Sequence, residues 1–232
     1  MNKPVQKEEW SFNTSVWADE QKLPGFGELL NSWLQVHKNY CNGCRPENSW
    51  EYDFKERSQV GFLSNAGVLI DGIALEEFAV PKNSRNGRND LFLRLPTLNS
   101  TQDYFIEAKW GAIDLPWTED SVVGKLFEVM GMAIKDAKQL DPALLRPHVG
   151  KAVAVSFLIL SSKDEDAANL DERTSALLKS IQVKQCGQFD ALASIYFSAE
   201  DFLQNRKERS GKWDKDNELV GLILTAKLIE LL

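Results

Sequence analysis

Apolar positions recur along this chain with two different periods, and the changes of period outline its elements. FGELLNSWLQVHKNY, residues 26–40, spaces Phe26, Leu29, Leu30, Trp33, Leu34 and Val36 into a broad helical stripe. WEYDFKERSQVGFLSNAGVLI, 50–70, reads mostly as a second helix carrying Phe54, Val60, Leu63 and Leu69, with Asn48 or Ser49 placed to cap it. IALEEFAVPK, 73–82, reads as a strand that Pro81 and the turn-rich NSRNGRN bring to an end. LFLRL and YFIEA, 91–95 and 104–108, follow as a hairpin around PTLNST. SVVGKLFEVMGMAIKDAKQL, 121–140, is strongly helical and closes at Asp141-Pro142, while KAVAVSFLIL, 151–160, is apolar on both faces and reads as a buried central strand. ALASIYFS is a further strand, and AEDFLQNRKER and NELVGLILTAKLIELL read as helices.

The order helix, three strands, helix, strand predicts an α/β or α+β sandwich, a mixed central sheet flanked by helices with helical extensions at both ends. Residues 1–48 are expected to form an arm and helix packed on the core, 49–198 the core, and 199–232 a C-terminal helical extension. The whole is expected to be one compact domain. No internal repeat or low-complexity tract interrupts it.

The hairpin carries the chemistry. Pairing centred between Leu98 and Asn99 sets Asp90 opposite Glu107, Phe92 opposite Phe105 and Arg94 opposite Asp103. Asp90, Phe92, Arg94, Phe105, Glu107 and Lys109 then share one face, and Leu91, Leu93, Leu95, Tyr104, Ile106 and Ala108 the other. Arg94 against Asp103 is a favourable cross-strand pair, but two carboxylates directly opposite repel, and something positive is expected between them. A hard divalent cation fits, since Mg²⁺ takes one or two carboxylates plus waters and phosphate. The plainer reading is a solvated strand face on which Lys109 neutralises a carboxylate.

Asp90 followed seventeen positions later by Glu107-Ala108-Lys109 resembles the D…(D/E)xK signature of the PD-(D/E)xK phosphodiesterase superfamily, the restriction-endonuclease-like fold. The resemblance covers about residues 50–160, on elements in the αβββαβ order of that family. Asn89 stands where the name pattern has Pro, a variation the family often shows. The resemblance implies a metal-dependent nuclease in which Asp90, Glu107 and the carbonyl of Ala108 hold Mg²⁺ or Mn²⁺. Lys109 would orient the attacking water and offset charge in the transition state. Glu56 is the expected carboxylate from the first core helix, ahead of Glu51; its plainer reading is a surface residue paired with a nearby base. Lys125, early in the second core helix, is placed to meet a phosphate or simply to be solvated.

Lys82, Arg85 and Arg88, in PKNSRNGRND just before Asp90, are the expected phosphate contacts. Arg206, Lys207, Arg209, Lys212 and Lys215 around Trp213 form a second basic cluster, read as a solvated turn before a stacking site. DNA is the default substrate that the resemblance implies. Cleavage of both strands in this family uses two active sites, so a homodimer is an expected assembly. The other function class is a non-catalytic member of the fold that binds nucleic acid or a protein partner.

Composition narrows these classes slightly. The 232 residues are 43% hydrophobic and 26% charged, enough for a substantial core. A formal charge of −7 argues against non-specific coating of nucleic acid but not against a nuclease with local basic patches. The longest apolar runs are too short for a membrane span and no basic-then-apolar leader opens the chain, so a cytoplasmic protein without membrane attachment is expected. Three cysteines fit reduced thiols. His37, Cys41 and Cys44 have zinc-like spacing with no evident fourth ligand nearby, although Cys186 or His148 could fold against them; the plainer reading is an ordinary pair of reduced thiols in a loop.

Overall fold

The computed structural model describes residues 11–43, 55–82, 85–114, 118–145, 150–162, 170–184, 188–198 and 218–231. In chain order the elements are β1 (Phe12–Ala18), α1 (Phe26–Gly43), α2 (Glu56–Leu69), β2 (Ile73–Lys82), β3 (Arg85–Pro96), β4 (Thr101–Asp114) and α3 (Glu119–Ala137). The single turn α4 (Pro142–Leu145), β5 (Lys151–Ser162), α5 (Leu170–Lys184), β6 (Ala191–Phe197) and β7 (Glu218–Ile229) complete them. The chain is α+β, a seven-stranded mixed sheet in the order β1-β6-β7-β5-β4-β3-β2 with helices against it. Only β4 and β5 run parallel; every other pairing is antiparallel.

The helical stripes pack as their spacing dictates. Leu29, Leu30, Trp33, Leu34 and His37 of α1 are buried, and so are Val122, Leu126, Val129, Met130, Ala133 and Ala137 of α3. Thr118 caps α3 reciprocally with Ser121, each backbone N–H donating to the other's hydroxyl. Gly67 of α2 lies so close to Leu93 and Leu95 that an added Cβ would sit 2.9 Å from Leu93 Cδ2. On the same side Phe26 of α1 meets Tyr104 edge to face at 5.1 Å. α1 and α2 therefore cover the leucine face of the hairpin. α3 covers the other, where Gly111 leaves room for Val129 and Lys125.

Two expectations about the ends give way. Residues 218–229 form β7, not a C-terminal helix, in the interior of the sheet between β5 and β6. LVGLILTAKLI is apolar towards both faces, with Val220, Leu222, Ile223, Leu224 and Ala226 all buried. A surface helix could bury only one stripe of that run. Within the expected N-terminal arm, residues 12–18 form the edge strand β1, antiparallel to β6. α5 was not foreseen, and the helix expected over 199–209 lies outside the described residues, as does the 206–215 basic cluster. No helix among the described residues is long and apolar enough to cross a membrane.

Candidate active site

β3 and β4 pair from Pro96↔Thr101 to Leu91↔Ile106, and there the ladder stops. β4 runs on to Asp114 alongside β5, so its other edge faces no strand beyond Ile106. Backbone groups left in such a place need partners. Side chains supply them. Asn89 Nδ2 donates to the Ile106 carbonyl at 2.9 Å, and the Ala108 N–H donates to Asp90 Oδ2 at 2.8 Å. Lys109 Nζ donates to the Ala108 carbonyl at 2.8 Å and lies 3.7 Å from Glu56 Oε1. Asp90, Lys109 and Glu56, three of the predicted residues, thus meet along one short edge.

A slip in alternation decides which neighbours Glu107 receives. Glu77 of β2 has φ +47°, in the left-handed region, and no ladder pair joins it to Asp90, though Glu76↔Leu91 and Phe78↔Asn89 pair on either side. Strict alternation would place Leu75 and Phe78 on opposite faces, yet both line one cavity with Phe92 and Phe105. After Glu77 the faces are therefore exchanged. Phe78, Val80 and Lys82 now point to the side of Glu107, and Asn89, paired with Phe78, comes with them. Asn89 Nδ2 lies 2.8 Å from Glu107 Oε1 and Lys82 Nζ 2.6 Å from the same oxygen. The expectation that Asp90 faces Glu107 is corrected accordingly: Asp90, at the slip, turns to the backbone of β4, and Asn89 takes the facing position.

The electrostatics follow from burial and crowding. Burial pushes the Glu107 carboxyl above its usual range, with Lys82 and Asn89 opposing and Asp90 adding to the rise. Burial likewise raises Glu56, against the pull of Lys109. For Lys109 burial works downwards, but Glu56, Asp136 and Asp90 together outweigh it and hold the ammonium above its ordinary value. Its Nζ is 3.7 Å from Glu56 Oε1 and 3.1 Å from Asp136 Oδ2, so α2 and α3 each send it a carboxylate.

The expected basic residues divide. Lys82 is taken up by Glu107 and is mostly buried, contrary to its expected place as a phosphate contact. The exchange of faces at Glu77 is the cause. Arg88 is exposed and pairs with Glu77 at 3.3 Å, and Lys125 pairs with Glu128 at 2.9 Å while its stem lies over Gly111. The side chain of Arg85, and the whole of Glu51, lie outside what is described. Two members of the site went unread in the sequence. Asn89 registered only as a departure from a pattern, and Asp136 had no signal beyond its place in a helix. His37 lies buried between the rings of Trp33 and Phe62, each 4.4 Å away, and burial pushes its pKa down to about 3. Cys41 is buried on the same helix and Cys44 is outside the described residues.

The donor set is all oxygen: the carboxylates of Asp90, Glu107 and Glu56 and the Ala108 carbonyl. Among the described residues no three His, Cys, Asp or Glu side chains close into a metal cage of their own. Mg²⁺ does not need one, because waters and substrate phosphate complete its shell. The chemistry of the donors therefore fits a hard cation. Compared with models of protein families, with curated proteins and with solved structures, the chain matches none.

Proposed function

We propose that the chain is a metal-dependent nuclease of the PD-(D/E)xK kind, hydrolysing phosphodiester bonds with DNA as its first substrate. The observation that carries the reading is the gathering of Asp90, Lys109 and Glu56 where β3 parts from β4, with the Glu107 carboxyl close enough to feel the charge of Asp90. The order α2-β2-β3-β4-α3-β5 around them is in keeping with that fold. Asp90, Glu107 and the Ala108 carbonyl would hold Mg²⁺ or Mn²⁺, which when bound lowers the pKa of water and offsets charge on the scissile phosphate. Lys109, kept protonated by three carboxylates, directs a water towards that phosphate and balances the charge that builds on it. Asp136 and Glu56 hold the lysine in place. Arg88 and Lys125, at the margins, are the remaining described phosphate contacts from the expected set.

A second reading has its own observation. Lys82 already neutralises Glu107, as it would in a non-catalytic member of the fold that binds nucleic acid or a protein partner. Incubation with plasmid, linear and single-stranded DNA and with RNA, in Mg²⁺, Mn²⁺ or EDTA, tests the two. Metal-dependent cleavage that is lost in both Asp90→Ala and Lys109→Ala is the expected result. Cleavage persisting unchanged in Asp90→Ala would refute the site, and binding without cleavage of any substrate would favour the second reading.

A further inference from the structure

Lys82 is seated with more care than a chance ion pair requires. Its Nζ is 2.6 Å from Glu107 Oε1, with both side chains largely buried. Its stem crosses β3 at Gly87, where an added Cβ would lie 2.6 Å from Lys82 Cδ and 3.0 Å from Cγ, so the absence of a side chain at 87 makes the path. The backbone beneath it is pinned: Lys82 bridges to Leu140, and the Asp141 N–H donates to the Pro81 carbonyl at 3.2 Å. Beside it Asn89 Oδ1 is buried and has no partner, an acceptor left over next to Glu107. Burial favours the protonated form of Glu107, and an ammonium beside it favours the carboxylate. A divalent ion drawn to Glu107 would meet the repulsion of an ammonium 2.6 Å from its Oε1.

We propose that Lys82 is the resting counter-ion of Glu107, that a divalent cation takes its place, and that the released ammonium then pairs with a phosphate of the substrate. This rests on the nuclease reading. It makes the basic residue expected to touch phosphate and the one found on the carboxylate the same residue in two states. It also leaves Asn89 Oδ1 free to accept a hydrogen bond from a metal-bound water.

Mn²⁺ affinity of the full chain, measured by calorimetry at pH 8 to suppress proton competition, tests the exchange. Lys82→Met should bind Mn²⁺ about tenfold more tightly than wild type, the effect of removing one close competing charge. On a Glu107→Gln background the same substitution should change nothing. With Ca²⁺ in place of Mg²⁺, Lys82→Met should bind DNA about tenfold more weakly, having lost one phosphate contact. In case Lys82→Met folds poorly, wild-type protein with ¹⁵N-labelled lysine gives a second readout. The protected Lys82 ammonium signal, assigned with Lys82→Arg, should move to rapid solvent exchange when Mg²⁺ is added. Unchanged or weaker Mn²⁺ binding by Lys82→Met, or a Lys82 signal indifferent to Mg²⁺, overturns the exchange while leaving the nuclease reading intact if Asp90→Ala still abolishes Mn²⁺ binding. No Mn²⁺ binding by wild type or by Lys82→Met defeats both.

Discussion

The two edges of β4 solve one problem in opposite ways. On the β5 side, backbone meets backbone without interruption from Tyr104↔Lys151 to Asp114↔Ser161, and the flanking residues Ala152–Leu158 are all buried. On the β3 side the ladder ends at Ile106, and side chains of Asn89, Asp90 and Lys109 take over. A backbone partner can do nothing else, whereas a carboxylate or an ammonium can let go and serve a ligand. The difference teaches that polar side chains gather where regular pairing ends, held by a neighbouring edge where it does not.

Substitutions should separate the edges. Phe157, fully buried on β5 and stacked on Trp33, belongs to the regular side. Phe157→Ala should lower unfolding free energy by about 3–5 kcal/mol in urea titrations while the folded fraction keeps its Mn²⁺ affinity. Loss of Mn²⁺ binding by the folded fraction would erase the distinction. On the open side, Asp90→Ala should reduce cleavage at least about 100-fold, yet cost only about 1–3 kcal/mol of stability through the orphaned Ala108 N–H. Plasmid digestion beside thermal melting would compare the two losses.

Glu56 offers a pH test. Its folded pKa is raised above 4.5, so the folded state holds its proton longer than the unfolded chain does. Stability contributed by this group is therefore present at low pH and falls as pH rises from about 4.5 through the folded value. Glu56→Gln should flatten that part of the profile in denaturant titrations across pH; an unchanged slope would assign it elsewhere. The smallest effect is expected at Glu77, whose ion pairs with Arg57 and Arg88 are exposed. Glu77→Gly should gain about 1 kcal/mol by relieving the left-handed backbone, with Mn²⁺ affinity unchanged. Melting curves that fall instead would show those ion pairs outweighing the strain.

What was legible followed from regular periodicity. β2 occupies the residues expected, and the hairpin register set Phe92 against Phe105 and Arg94 against Asp103, where a bidentate ion pair forms at 2.6 and 2.8 Å. That register stayed correct only as far as Leu91. Beyond it one non-glycine residue with positive φ exchanges the faces, and neither EEF nor RND announces such a turn. Lys82 was misplaced for that reason, and Asn89 came to Glu107 by the same exchange. Asp136 was hidden because a helical carboxylate gains meaning only from what packs beneath it. β7, apolar towards both sides as β5 is, was lost because its leucine-rich run suits a helix as well as a buried strand, where β5 is richer in valine.

The pinning of Pro81 and Lys82 to Leu140 and Asp141 has a mechanical result. Asp136, which holds Lys109, lies a single turn upstream of that same anchor on the adjoining helix. Both ammonium groups are thereby moored to one short stretch of chain, and a push on it displaces the pair in concert.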